Sequence, residues 1–429
     1  MRLQAASFTR LFALAACLLA LSPAPRAGAQ PTRGGRARHA AKAPRAAAPE
    51  FSFDSGGAAA KIPFELYANI PFVRARVNNS PPLWFMLDTG ASGSLIDARR
   101  ARRLGLKYLD TAKLTGMGGV VKTSYFGGAN FRFPGVAVFD QKVVTMPLEF
   151  MRSRVGRPVD GVIGYDLFRL FVVVIDYDAK TIELRDPRAY QYAGGGHVVP
   201  FTLRGNTPYT AARLELPGGG SVEGRFEIDT SADGLLSVNA PFAAKHRLAE
   251  RLTTKTGTQT GSGAGGESPY FAARAAGFAL GGFRFENPII TVSGDTEGSG
   301  ADAESDGQIG GDLFRRFRVT FDYTRGRMIL EPNGHLSEPF ESDMSGLDIV
   351  AEGPDMRTFT VNAVAPGSPA AEAGLREEDT ILAVDGRPAR DFDLDRLAGH
   401  FTTAGREHEL TIRRGREVLK VRMKLRRLI

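Results

Sequence analysis

Asp160-Gly-Val-Ile-Gly-Tyr-Asp-Leu-Phe-Arg-Leu-Phe-Val-Val-Val-Ile-Asp-Tyr177 decides how this chain is read. It returns as Asp306-Gly-Gln-Ile-Gly-Gly-Asp-Leu-Phe-Arg-Arg-Phe-Arg-Val-Thr-Phe-Asp-Tyr323. Twelve of the 18 positions are identical, without a gap. Each copy continues into a second apolar run, Thr181-Ile-Glu-Leu184 and Arg327-Met-Ile-Leu330. Each is preceded by an Asp-Thr pair, in Phe85-Met-Leu-Asp-Thr-Gly-Ala-Ser92 and in Phe226-Glu-Ile-Asp-Thr-Ser-Ala-Asp233. The spacing from Asp88 to Asp160 is 72 residues, and from Asp229 to Asp306 it is 77. A repeat on this scale predicts two homologous halves, at 61–192 and 193–333, each with one Asp-Thr motif near its start.

Within the halves, short apolar runs alternate with turn residues. Ile62–Leu66, Phe72–Val77 and Trp84–Leu87 read as strands. Helical candidates before about residue 366 are confined to 97–106 and 240–251, so the fold is expected to be mainly β.

The flanks are different in kind. Arg2 and Arg10 precede an apolar stretch from Leu11 to Leu21, too short to span a bilayer, and Ala27-Gly-Ala29 offers a cleavage site. Residues 1–29 thus read as a signal peptide, which places the mature protein in the periplasm or outside the cell. In the alternative, Leu14-Ala-Ala-Cys17 is a lipoprotein box, and the protein meets a membrane only through a lipidated Cys17. Residues 30–60 are rich in Pro, Ala, Arg and Gly and read as a basic linker. Cys17 is the only cysteine, so cleavage after Ala29 leaves no disulfide, thiol nucleophile or cysteine metal site. The formal net charge is +8, but residues 1–50 set eight basic side chains against the single acid Glu50. The remainder is nearly neutral, which argues against a nucleic-acid partner.

The Asp-Thr motifs carry the chemistry. An apolar strand delivers Asp88 into a tight turn in which Thr89 can hydrogen-bond across and Gly90 lets the backbone approach the carboxylate. One such triplet is weak evidence; a second in a duplicated half is much stronger. Two pseudosymmetric halves can bring Asp88 and Asp229 together, where close carboxylates share a proton. The ionised one then takes a proton from water and the protonated one donates to a carbonyl oxygen.

These residues resemble the aspartic peptidases, and the retropepsin-like branch more than pepsin. Asp88-Thr89-Gly90 matches the catalytic triplet, and Ala91 follows it as in retropepsins. Ile163-Gly164-Tyr-Asp-Leu167 and Ile309-Gly310-Gly-Asp-Leu313 look like the segment whose glycine packs behind the catalytic loop. The stretch 115–120 is similar to a flap, with 256–266 as its counterpart. The resemblance implies two β-barrel lobes over residues 61–333, Asp88 and Asp229 as catalytic residues, and Thr89, Gly90, Thr230, Ser231, Gly164 and Gly310 as loop support. Substrates would be peptides or proteins, and no cofactor or metal is called for. The second triplet departs from the pattern, with Ser231 in place of Gly. Ser231 would be strained if the position demands glycine geometry. A catalytically silent, peptide-binding envelope scaffold is the alternative to an endopeptidase. Pairing of first lobes between chains is a further route to activity. Ala91 and Ala232 remove the hydroxyl that could follow each triplet, which points to a mildly acidic optimum of about pH 4.5–6.5.

Residues 334–344 read as a polar connector and 345–429 as a separate unit. Val364-Ala-Pro-Gly-Ser-Pro-Ala-Ala-Glu-Ala-Gly-Leu375 and Thr380-Ile-Leu-Ala-Val-Asp-Gly386 resemble a PDZ domain. Glu378 stands where many such domains have Gly. The resemblance makes Ser345-Gly346-Leu347-Asp-Ile349 the carboxylate-binding loop, with Gly346, Leu347 and Ile349 as peptide-binding residues and a C-terminal peptide as ligand. Other motifs carry nothing. Gly261–Gly266 matches GxGxxG outside any βαβ context, and Asp302–Leu313 lacks the final Glu of a calcium loop. The six histidines lack metal spacing.

Overall fold

The computed structural model describes residues 50–54, 58–59, 61–116, 119–263 and 265–429. The segment read as a signal peptide, with Cys17, and residues 30–49, 55–57 and 60 of the stretch read as a linker lie outside them.

The repeated segment builds the junction between the two halves. In each copy a short helical turn, Tyr165–Phe168 or Gly311–Phe314, leads into a strand, Val172–Asp176 or Phe317–Asp322. The two strands pair antiparallel with each other, with Val173 opposite Phe321 and Asp176 opposite Arg318. Each is flanked by the next strand of its own half, Thr181–Arg185 or Arg327–Pro332. One 14-stranded sheet therefore runs from the second half into and through the first. The phenylalanines spaced through the repeat supply its core. Phe168, Phe171, Phe314, Phe317 and Phe321 are all fully buried, and Phe168 meets Phe321 edge-on at 5.8 Å between centroids. Burying each such ring contributes roughly 1.5–3 kcal/mol.

Both halves repeat one further arrangement. The strand that delivers the Asp-Thr motif, Leu83–Leu87 or Ser221–Ile228, runs parallel to the strand that opens the repeat, Gly161–Ile163 or Gly307–Ile309. The Asp at the head of each repeat holds this pairing. Asp160 accepts the Trp84 N–H at 2.9 Å, and Asp306 accepts the Arg225 N–H at 2.7 Å. The rest of the second half forms a separate 10-stranded sheet.

Residues beyond 345 form a six-stranded sheet whose edge strand is Leu347–Glu352. The helix Leu394–Gly399 packs beside that strand. Glu378 sits at φ +68°, the left-handed geometry that favours glycine.

Two expectations are corrected. The segment read as linker at 30–60 reaches too far, because Phe51–Phe53 forms a strand paired with Val136–Val138. Phe51 and Phe53 both pack on Phe171, at 4.7 and 5.7 Å, which supplies the apolar anchor that the surrounding composition hides. A helix not expected from the sequence spans Glu149–Val155. Its signal is local: Met151 and Val155 share one buried face, and Gly156 ends it at φ +73°.

Candidate active site

The two delivering strands end at Asp88 and Asp229, which meet at the junction of the halves, only 4% and 0% exposed. Each loop turns back to solvate its own carboxylate. The N–H groups of Gly90 and Ala91 donate to Asp88 Oδ1 at 2.8 and 2.9 Å. In the second half the N–H and hydroxyl of Ser231 both donate to Asp229 Oδ1, at 2.8 and 2.9 Å.

The threonines lock the loops together reciprocally. Thr89 donates its hydroxyl to the Ile228 carbonyl at 2.7 Å and accepts the Thr230 N–H at 3.0 Å. Thr230 donates to the Leu87 carbonyl at 2.8 Å and accepts the Thr89 N–H at 3.1 Å. The four bonds are buried and related by the pseudo-twofold of the repeat.

Held this way, the buried carboxyls of Asp88 and Asp229 lie within electrostatic reach of each other, and both are pushed above the ordinary carboxylate range. Burial is the largest cause for each. At Asp88 the charge of Asp229 adds to it, and that carboxyl is held well above the usual range. At Asp229 the donors from Ser231 work against burial. Two acids a proton apart can accept from water on one side and donate on the other.

The comparisons with known proteins bear on the first half and on the C-terminal unit. Residues 73–167 match the family described as Aspartyl protease, and residues 360–414 match the PDZ domain family. The chain carries an aspartyl protease domain and a PDZ domain. No curated protein is matched by the chain.

The glycines named beside the dyad sit behind the aspartyl protease loops. A Cβ at Gly164 would lie 2.6 Å from the Ala91 carbonyl oxygen, and one at Gly310 would lie 2.7 Å from that of Ala232. Ser231 corrects two expectations. Its backbone stays out of the left-handed region, so the Gly-to-Ser departure is not strained. Its hydroxyl donates to the dyad from within the triplet, which supplies the donor that Ala91 and Ala232 lack one residue later. The flap-like stretches are hairpins, Lys107–Gly116 with Gly119–Phe133 and Gln259–Gly263 with Gly266–Arg274. Met117, Gly118 and Ala264 at their turns lie outside the described residues.

Sequence reasoning missed several residues at this site. Asn69 donates to the Asp233 carbonyl at 2.8 Å, and Asn206 donates to the Ser92 carbonyl at 3.2 Å. Each half thus ties the other half's loop just past its triplet. The signal is a second repeat, Asn69-Ile-Pro-Phe72 and Asn206-Thr-Pro-Tyr209, with both asparagines at positive φ. Tyr323, the last residue of the long repeat, donates to the Thr89 carbonyl at 3.3 Å.

In the PDZ domain, Leu347 and Ile349 are core side chains, and the loop amides have internal partners. Asp343 Oδ1 accepts the N–H of Ser345 at 2.8 Å and of Gly346 at 3.3 Å. The Leu347 N–H donates to Ser345 Oγ at 3.0 Å. The groove that a peptide would enter, between the edge strand Leu347–Glu352 and the helix Leu394–Gly399, faces the first lobe. Arg154 of the 149–155 helix donates to both oxygens of Asp348, at 3.0 and 2.7 Å. The next turn lies so close to the far wall that a Cβ at Gly156 would meet Leu394 Cβ at 2.5 Å. The groove is therefore packed against the protease lobe along both walls.

Two outcomes are expected. Thr89→Val and Thr230→Val each leave a buried carbonyl and a buried N–H without partners, costing about 2–4 kcal/mol in urea unfolding. The double variant should lose clearly less than the sum, because the bonds form one unit. Arg154→Ala leaves the buried Asp348 carboxylate with Asn362 as its remaining side-chain donor. It should cost about 2–4 kcal/mol and speed hydrogen–deuterium exchange across residues 347–352, with no change at residues 407–424.

Proposed function

We propose that the chain is an exported aspartic-type endopeptidase, in which water is activated between Asp88 and Asp229. The observation that carries this reading is the pair of buried, mutually interacting carboxyls contributed by two halves of one chain. The ionised partner takes a proton from water as the oxygen attacks the scissile carbonyl. The protonated partner donates to the carbonyl oxygen as it becomes tetrahedral. Collapse returns the proton to the leaving amine, and no bond forms between enzyme and substrate. Burial raises both acids while the Ser231 hydroxyl donates to Asp229, so the pair can hold one proton between them. Export rests on the signal-like residues 1–29. The PDZ domain recognises peptide C-termini in this reading, in a groove that opens only when it parts from the first lobe.

Because both halves supply one site, Asp88→Asn and Asp229→Asn should each lower kcat for peptide hydrolysis by at least about 10²-fold. Activity retained in Asp229→Asn and dependent on protein concentration would instead mean that first lobes pair between chains. The same Asp88→Asn variant has a stability signature. A carboxyl whose folded pKa is raised contributes stability below its unfolded value and loses it as pH rises through the folded value. Asp88→Asn should therefore be more stable than the parent at neutral pH, with the gap closing toward the ordinary carboxylate range.

Ser231→Ala tests the tuning of the dyad. Removing a donor from the ionised form raises the pKa of Asp229. The acid limb of the pH–rate profile should then move up by about one unit, the equivalent of one hydrogen bond of about 1.4 kcal/mol. An unmoved limb would show that the hydroxyl does not act on the catalytic carboxyl.

A further inference from the structure

The two lobes match in backbone but not in the buried face beside the dyad. Strand alternation puts Met86 on the same side as Asp88, and Glu227 on the same side as Asp229. Registry extends this face across each sheet. In the first lobe Met86 stands opposite Phe72 and Val162, Val162 opposite Leu95, and Leu95 beside Val144. These side chains belong to one buried apolar cluster. In the second lobe the same positions are Glu227 opposite Tyr209 and Gln308, Gln308 opposite Ser237, and Ser237 beside Thr291. All five apolar positions have become polar.

The polar face is enclosed. Glu227 and Tyr209 are each 1% exposed, and Gln308 is 6% exposed. Gln259, on the flap-like hairpin of the second lobe, is fully buried. Among the described residues, Glu227 Oε1, Tyr209 Oη and both amide atoms of Gln259 have no hydrogen-bond partner. Buried polar atoms without partners are costly, and a core that needed only packing would have kept the apolar set of the first lobe. The Glu227 carboxyl lies within the electrostatic reach of both Asp88 and Asp229.

We propose that this face is a specificity subsite of the second lobe, which takes a lysine or arginine side chain of a substrate residue next to the scissile bond. The proposal rests on the endopeptidase reading and deepens it. Burial, with Asp229 and Asp88 nearby, holds Glu227 well above the ordinary carboxylate range, against the hydrogen bond of Gln308 and the charge of Arg204. An entering cation adds a direct charged partner that favours ionisation of Glu227 there. It forms a desolvated, charge-assisted hydrogen bond, while Tyr209 and Gln259 accept its remaining protons. The matching face of the first lobe, with Met86 at its centre, takes an apolar side chain. The enzyme would then cut where a basic and an apolar residue meet.

The test is a peptide mixture digested by the full chain, with cleavage sites read by mass spectrometry. Lysine or arginine should be enriched at one position adjacent to the cut. Glu227→Met copies the residue of the first lobe, and Glu227→Gln keeps the shape and hydrogen bonding without the charge. Both should lower the ratio of kcat/KM for a basic over a matched apolar peptide by tenfold or more. Cleavage without basic enrichment, or an unchanged ratio in both variants, overturns the subsite and leaves the endopeptidase reading standing. Should the parent cleave nothing, that reading fails, and the subsite is judged by binding to Asp88→Asn protein. There the basic peptide should bind at least tenfold tighter than the apolar one, an advantage lost on adding Glu227→Met. Equal binding overturns the subsite.

Discussion

The reciprocal bonds of Thr89 and Thr230 are the constraint on which the rest of the region around Asp88 and Asp229 depends. Each threonine satisfies a carbonyl and an N–H of the opposite lobe, at distances from 2.7 to 3.1 Å. A pair of acids buried this deeply repel when both are ionised, and burial penalises even one charge. Nothing about the carboxyls themselves holds them together. The clasp does, reinforced by the crossed donations of Asn69 and Asn206 and by Tyr323 behind the Thr89 loop. Below it, the antiparallel pairing of Val172–Asp176 with Phe317–Asp322 makes the two lobes share one sheet. The lobes cannot separate without breaking that sheet, so the dyad is fixed within a single chain.

On this symmetric frame the chemistry is asymmetric. Gly90 and Ser231 occupy equivalent positions, but only Ser231 adds a hydroxyl to its carboxylate. Met86 and Glu227 are equivalent, but only Glu227 adds a third acid beside the dyad. Both differences fall in the second lobe. Duplication allows this, because the two halves can differ in packing without loss of the clasp.

The helix Glu149–Val155 links the two domains. Its inner face, Met151 and Val155, belongs to the apolar cluster that contains Met86. Arg154 grips Asp348 at the PDZ edge strand. Movement of the PDZ domain off this helix would therefore be felt in the packing two residues from Asp88. The loop amides of the PDZ domain are meanwhile held by Asp343 and Ser345, and its groove walls rest on the lobe.

The sequence by itself determined the duplication, the mainly β fold, the Asp-Thr triplets and the PDZ domain. Each is written in contiguous residues whose spacing or turn chemistry is local. Gly164 and Gly310 were also legible, since a glycine kept at one place in both copies of a repeat marks a close backbone approach. Ser231 was noticed as a departure, but its effect was not readable. Whether a serine is strained or useful depends on its φ and on where its hydroxyl points. Phe51–Phe53 and the 149–155 helix were hidden because their apolar partners, Phe171 and the Met86 cluster, are distant in sequence. Only the tertiary structure decided that the carboxyls of Asp88 and Asp229 are buried together, that five registered positions turn polar together, and that the PDZ groove faces the lobe. These are relations across strands and domains. The free energies behind them, desolvation and paired charge, depend on burial that no local stretch of sequence encodes.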